Sequence, residues 1–379
     1  MKMLYILNVA NRFNSFAYTS YLAAKQLGIE FHIAGAWTDY KDISELRADE
    51  IKYGIKIHQI DFIRTPYDPR NIKAYKQIKK LIKEENIDFI HCNTPIGGVT
   101  GRLAGKKCNI YPVIYEAHGF HFYKGAPLLN WLIYYPVERW LAHYTDALIT
   151  INKEDFDRAQ KMRLRNLGSS YYVPGVGIDI SRRIVSYEEK KEIRKTLNIP
   201  EKAIVLISVG DLNKNKNNSI IIEALKKIDN PNIHYIICGD GPLREHLTKI
   251  SLPINEKIHI LGYRNDIKDL MAVSDIFVMP SFREGLSRSL MEAMVSGLPC
   301  VVSNIRGNSD LIIDGQGGFL CNPKDVNSFS KAITQLANEQ KLRSSMEKEN
   351  INRIKSFDID SSMSGLKDIY SSLLYEGAR

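Results

Sequence analysis

Short apolar runs recur along this chain, each followed by an amphipathic stretch, and this alternation restricts its fold more than any other feature. Strands are predicted at Met3–Val9, Phe31–Ala34, Lys56–Ile60, Asp88–Cys92, Pro112–Glu116 and Ala147–Ile151. Between them lie helical patterns such as Ile72–Glu85, with Lys on one side and Ile/Leu on the other. Strands that alternate with helices make parallel βαβ units. Nearly continuous apolar strands such as Ala147-Leu-Ile-Thr-Ile151 fit a sheet covered on both faces.

The pattern breaks at Val173-Pro-Gly-Val-Gly-Ile-Asp179, a turn or hinge by its glycines and proline. A second series follows at Ala203–Gly210, Ile233–Cys238, Lys257–Leu261, Asp275–Met279 and Pro299–Val302. The chain therefore reads as α/β, with one domain over residues 1–175 and a second over 176–358. A last helix over 359–379 is assigned to the first domain. At 379 residues, each half is long enough to bury its own core. Rossmann-like sheets bind ligands at the carboxyl ends of their strands. Two facing each other make a cleft that suits a donor on one wall and an acceptor on the other.

Composition narrows the partners. The net charge is +9, which favours nucleotide phosphates, lipid pyrophosphates or an anionic membrane, or is simply a basic, soluble surface. The five cysteines are scattered without metal or redox spacing, as expected of reduced thiols in a cytoplasmic protein. The opening residues read as a strand rather than a leader. No apolar run reaches the ~18 residues of a membrane span.

Three segments carry candidate chemistry. In Pro280-Ser-Phe-Arg-Glu-Gly-Leu-Ser-Arg-Ser-Leu-Met-Glu292 a strand gives way to a loop holding Glu284, and a helix is expected from about Leu286. Gly285, Leu286 and Ser287 place backbone amides at that helix start, where an anion is favoured. Glu284 and Glu292 are carboxylates able to accept from vicinal sugar hydroxyls. The plain alternative is a capped helix with solvated glutamates. In Ser208-Val-Gly-Asp-Leu-Asn-Lys-Asn-Lys216 a buried strand ends at Gly210, then Asn213, Lys214 and Lys216 follow. Lys214 or Lys216 can supply the point charge that a leaving diphosphate needs. No metal site is expected, because the acidic pairs at Asp155/Asp157 and Asp358/Asp360 stand where helices begin and capping explains them. In Tyr115-Glu-Ala-His-Gly-Phe-His-Phe-Tyr-Lys124, His118 can bond a donor-sugar hydroxyl, and His121 and Lys124 can meet the acceptor.

Weaker features remain. The turn at Gly239-Asp-Gly-Pro242 is tight, and Pro95–Arg102 is glycine-rich without matching a dinucleotide or Walker pattern. Leu128–Tyr144 carries Trp131, Tyr134, Tyr135 and Trp140, and Asn71–Lys83 carries Lys73, Lys76, Lys79, Lys80 and Lys83. Together they suit a peripheral site on anionic lipid, or else a core-facing helix beside a solvated basic face.

Taken in order, Gly239-Asp-Gly-Pro242, Leu261-Gly-Tyr263, Ser274–Ser281, Glu284-x7-Glu292, Gly297–Ser303 and Gly318-Phe-Leu320 resemble the retaining glycosyltransferases of family four, which have the two-domain GT-B fold. Ala117–Gly125, Thr150–Asp155 and Val173–Asp179 resemble its capsule and exopolysaccharide branch. The resemblance covers nearly the whole chain. It implies that Glu284 contacts the donor sugar and Glu292 the ribose. It implies that Gly210, Asn213, Gly239, Gly285, Leu286 and Ser287 line the nucleotide site, and that Lys216 steadies the diphosphate. His118 falls near the reacting centre, and the terminal helix is expected to cross back onto the first domain. The implied reaction moves a hexose or N-acetylhexosamine from a nucleotide sugar, UDP-linked before GDP-linked, to a lipid-pyrophosphate-linked saccharide. It needs no further cofactor and no nucleic acid. Asp211 departs from the family's arginine, and the first turn lacks the family's glycines. A two-domain sugar-nucleotide epimerase is the alternative enzyme, and a basic binding module the alternative without chemistry.

Overall fold

The computed structural model describes every residue except 14, 67, 166–167, 229 and 377–379. The chain forms two compact units, Met1–Gly177 together with the segment from Ile359 onward, and Ile178–Asp358.

The first unit is a seven-stranded parallel sheet built from β1 (Lys2–Ala10), β2 (Glu30–Trp37), β3 (Lys56–Gln59), β4 (Phe89–Asn93), β5 (Val113–Ala117), β6 (Ala147–Thr150) and β7 (Ser169–Tyr172). Its spatial order is β3-β2-β1-β4-β5-β6-β7. Successive residues of β1 enter opposite cores. Leu4 and Ile6 face one, and Met3, Tyr5 and Leu7 face the other. That is the period of two of a strand covered on both sides, and it explains why β1 is apolar at nearly every position.

The helix Pro95–Cys108 explains the glycine-rich segment. Side chains at Gly98, Gly101 and Gly105 would strike Tyr115, Cys92 and Val113, so the glycines let the helix lie flat on the sheet. The terminal helix Ile359–Ser371 buries Leu366, Ile369 and Tyr370 in the same core as Ala17 and Tyr21 of the first helix. It is part of the first unit.

The second unit repeats the plan with six parallel strands: β8 (Ile204–Val209), β9 (Ile233–Cys238), β10 (Ile258–Gly262), β11 (Ile276–Met279), β12 (Cys300–Ser303) and β13 (Gly318–Cys321). The order is β10-β9-β8-β11-β12-β13. Val205 and Ile207 of β8 enter one core and Leu206 the other. In each unit strand order reverses once, between β1 and β4 and between β8 and β11. Loops leave those neighbouring strands in opposite directions, opening a crevice at their carboxyl ends. Among the described residues, no helix is long and apolar enough to cross a membrane.

Candidate active site

The corner at the second reversal point gathers two of the segments singled out in the sequence. β8 ends at Val209, and its loop runs to the helix Ser219–Lys227. β11 ends at Met279, and its loop runs to the helix Arg288–Val295. The two loops are sewn together by main-chain acceptors. Asn215 donates from Nδ2 to the Arg283 carbonyl at 2.9 Å, and the Phe282 amide donates to the Asn215 carbonyl at 2.8 Å. Asn217 donates to the carbonyls of Pro280 (3.1 Å) and Pro323 (2.9 Å). An asparagine serves this well because its short amide side chain donates without disturbing a turn.

This stitching brings Lys216 to Glu284. The Lys216 ammonium donates to Glu284 Oε1 at 2.8 Å, with the side chains 22% and 14% exposed. The lysine stem passes over Gly210, where an added Cβ would lie 3.1 Å from Lys216 Cε. Asn213 accepts from the Lys216 amide through Oδ1 at 3.1 Å and so shapes the loop. Lys214 and Asp211 are exposed.

Ser287 caps the helix by accepting from the Leu290 amide. The helix consequently starts at Arg288, two residues later than expected from the sequence. Gly285 and Leu286 precede the cap, at the positive end of the helix. Behind them, Gly307 (φ +80°) passes so close that a Cβ would lie 2.2 Å from the Gly285 carbonyl oxygen. Arg306 donates from Nε to the Glu284 carbonyl at 3.3 Å. Glu292, one of the two expected sugar-gripping carboxylates, accepts from Arg288 Nε at 3.0 Å. Gly239, expected at the nucleotide, packs against this loop. Its φ is +140°, and a Cβ there would sit 2.0 Å from the Gly210 carbonyl oxygen.

The third segment lies in the first unit, just beyond β5. Burial holds the His118 ring toward its neutral form, the Glu116 carboxylate pulls the other way, and His91 adds less to the lowering. The loop that follows is pinned by the helix Lys153–Ala159. Asp155 Oδ2 accepts from the Phe120 amide at 3.0 Å, and Glu154 accepts from the Lys124 amide at 2.7 Å. The sequence placed Asp155 at a helix start, and it stands there. Asn152 is the cap, however, and the buried Asp155 carboxylate braces the histidine loop. His121 lies against Tyr134 with ring centroids 4.6 Å apart, and Lys124 is exposed. Spacing alone could not reveal this bracing, because Asp155 and Phe120 stand 35 residues apart.

Known proteins match this architecture along its length. Residues 189–353 fit the family model described as Glycosyl transferases group 1, and residues 6–152 fit Glycosyl transferase 4-like. EpsD of Bacillus subtilis strain 168, which carries the name of a glycosyltransferase, is 34% identical over 98% of this chain and 97% of its own. An α-1,3-galactosyltransferase of Escherichia coli, named for UDP-Gal and α-D-GlcNAc-diphosphoundecaprenol, is 30% identical over 83% of this chain and 85% of its own. The chain belongs to the group 1 and 4-like glycosyl transferases and is a glycosyltransferase. Its fold is the two-domain GT-B fold. HepE of Anabaena, solved with UDP and glucose, superposes with a TM-score of 0.79 at 19% identity, covering 98% of this chain and 100% of its own. The two sequence relatives carry the names of glycosyltransferases, and the epimerase alternative gains no support from them.

Proposed function

We propose that this glycosyltransferase moves a hexose or N-acetylhexosamine from a UDP-sugar to a lipid-pyrophosphate-linked saccharide during assembly of a surface polysaccharide, with retention at the anomeric carbon. The observation that carries this reading is the Lys216–Glu284 pair, held by stitched loops at the carboxyl ends of β8 and β11. A lysine there meets a diphosphate as a point charge, and the amides at Gly285–Ser287 face the same anion. Glu284 holds the lysine ready until a diphosphate takes its place, and is then released to the donor sugar. Glu292 takes the ribose hydroxyls. The leaving β-phosphate, steadied by Lys216, accepts the acceptor's proton, and His118 bonds the donor sugar. The names of the Escherichia coli relative and of the HepE complex support UDP as the nucleotide and a lipid diphosphate as the acceptor's anchor.

Thermal melting against UDP-, GDP- and ADP-sugars tests the donor. A ligand at about a hundred times its Kd stabilises the native state by ~2.7 kcal/mol. UDP-sugars are expected to raise Tm, and at least one to be consumed only when a lipid-pyrophosphate saccharide is added. A response confined to GDP-sugars, or turnover without any acceptor, would sink the reading.

We further propose that the first unit rests on an anionic membrane. Trp131, Tyr134 and Tyr135, which the sequence offered as interface residues, pack against the core. Trp140, the fourth aromatic offered, is turned to solvent on the helix Leu128–Ala142, together with Leu128, Leu129 and Leu132, each over 60% exposed, and Val137. Lysines of the helix Asn71–Glu84 stand in solvent as well, Lys73, Lys76, Lys80 and Lys83 among them. Lipid attraction of this kind is about 1 kcal/mol per basic residue and falls with salt. Co-sedimentation with phosphatidylglycerol vesicles is expected to fall on Leu129→Asp/Leu132→Asp substitution. Equal binding by that variant would refute the docking face.

A further inference from the structure

The loop 118–124 beyond β5 forms neither strand nor helix. Segments of this kind ordinarily move more than the elements they join. Here three of its peptide groups are taken by side chains of two helices. Asp155 Oδ2 accepts from the Phe120 amide at 3.0 Å, and Glu154 Oε1 accepts from the Lys124 amide at 2.7 Å. Between them, Asn130 Nδ2 of the helix Leu128–Ala142 donates to the His121 carbonyl at 2.9 Å.

The two acidic residues are set in place independently of the loop. Asp155 lies in the first turn of the helix Lys153–Ala159, and the cap residue Asn152 meets it twice. Asn152 Oδ1 accepts from the Asp155 amide at 2.9 Å, and Asn152 Nδ2 donates to Asp155 Oδ2 at 2.8 Å. One carboxylate oxygen therefore takes both the cap's side-chain amide and the loop's main-chain amide. Both residues are fully buried. Glu154 accepts from Arg158 one turn further on, at 2.8 Å, and the Arg158 guanidinium lies 4.6 Å from the ring centroid of Trp131. A neutral side-chain oxygen can also accept from an amide, and burying a carboxylate is unfavourable. What the carboxylate adds is grip, because a bond to an ionised acceptor is about twice as strong as a neutral one. Such grip on an irregular segment is explained where small displacements cost rate.

We propose that Asp155 and Glu154 are positioning residues with separate tasks: Asp155 fixes the His118 end of the loop for the transfer step, and Glu154 fixes the Lys124 end for holding the acceptor. This rests on the reading of His118 as a group at the reacting centre and of Lys124 as acceptor-side. The amide held by Asp155 stands two residues from His118, whereas the amide held by Glu154 belongs to Lys124 itself. Loosening the first lets the reacting group drift, which lowers kcat. Loosening the second frees a cation from its place, which weakens the hold on the acceptor before and during transfer alike and raises its KM. The nucleotide corner belongs to the second unit, so the hold on the donor is spared in both cases.

The test uses the full chain, with UDP-galactose and UDP-N-acetylglucosamine as donor probes and a polyprenyl-pyrophosphate-linked N-acetylglucosamine as acceptor probe. Hydrogen–deuterium exchange of the loop amides is read alongside the kinetics. Asp155→Ala is expected to lower kcat at least about tenfold with donor KM within about twofold. Asp155→Asn, which keeps an oxygen for the Phe120 amide, should stand between that variant and the parent. Glu154→Ala is expected to raise acceptor KM at least about fivefold with kcat within about twofold, and Glu154→Gln to return toward the parent. Exchange should quicken at the Phe120 amide in Asp155→Ala and at the Lys124 amide in Glu154→Ala, by about tenfold or more. Unchanged exchange at both amides overturns the proposal without any turnover assay. So does a parent-like kcat in Asp155→Ala when its Phe120 amide exchanges fast, or an equal loss of kcat and both KM values in the two alanine variants. If His118→Ala keeps the parent kcat while the exchange results hold, the reading of His118 fails instead. Should Asp155→Ala lose exchange protection across β5 and so fail to fold, Glu154→Ala decides, since its side chain is 27% exposed. A raised acceptor KM supports the proposal there, and an unchanged one beside fast Lys124 exchange overturns it.

Discussion

Lys216→Ala is expected to lower kcat by roughly a hundred- to a thousandfold, the range for deleting one fixed group that stabilises developing charge. Departure of UDP concentrates negative charge on the β-phosphate, and Lys216 is the cation that the stitched loop holds beside Glu284. The neighbouring Lys214 is exposed. The loss should fall mainly on kcat, because the charge grows only as the glycosidic bond to phosphate breaks. Lys216→Arg is expected to recover part of the rate, since charge returns without the same fit. Removing Lys216 also leaves Glu284 beside the diphosphate without its partner. Lys216→Ala/Glu284→Gln should therefore bind UDP better than Lys216→Ala alone. Steady-state kinetics decide the matter: a Lys216→Ala enzyme within about threefold of the parent kcat would remove Lys216 from the chemistry.

Gly239→Ala is expected to cost stability on a similar scale. The substitution forces a Cβ to within 2.0 Å of the Gly210 carbonyl oxygen, at a φ of +140° that side chains rarely adopt. Backbone strain of this kind costs on the order of 1–3 kcal/mol before the clash is counted. Gly315 supplies the comparison, with a φ of +76° but open space around it. Gly315→Ala should cost only the strain, about 1–2 kcal/mol. For a unit of this size, each kcal/mol moves Tm by roughly 2–4 °C. A Gly239→Ala melting point no lower than that of Gly315→Ala would show that the β8 and β9 loops are not locked as described. The clash also pushes on Gly210, over which the Lys216 stem passes. UDP affinity should therefore fall together with Tm in Gly239→Ala and hold in Gly315→Ala.

The two sheets were legible because both are parallel and covered on each face, so their strands read as unbroken apolar runs. Ala147–Thr150 and Ile204–Val209 are examples. The edges were harder. β7 is Ser169-Ser-Tyr-Tyr172, short and half-polar, and β13 begins at Gly318. Neither has the periodicity that marks a strand, and each is held by one neighbour. Within the corner, the carboxylate Glu284 and the lysine Lys216 were legible as charges placed after buried strands. Their pairing was not, because it depends on Asn215 and Asn217 reaching carbonyls more than sixty residues away. Gly239 shows the opposite failure. Its turn signature was visible, but only the approach of Gly210 reveals that the glycine makes room for backbone. The exposed face of Leu128–Ala142 was legible only at Trp140, for a related reason. Aromatic residues draw attention in a sequence, yet Phe122, packed against Trp131 and Tyr135, turns those rings inward and leaves the leucines outside.

The terminal helix completes a core that began with the first strand, so the order in which the chain is made matters. A ribosome joins Tyr370 only after the whole second unit has been synthesised. Until then the hollow beside Ala17 and Tyr21 lacks Leu366, Ile369 and Tyr370. The second unit, whose ends meet where the Ile178 amide donates to the Phe357 carbonyl at 3.0 Å, can close as soon as its own residues are out. Domains tend to fold in the order of their synthesis; here the portion made first has to wait longest for the helix that closes it.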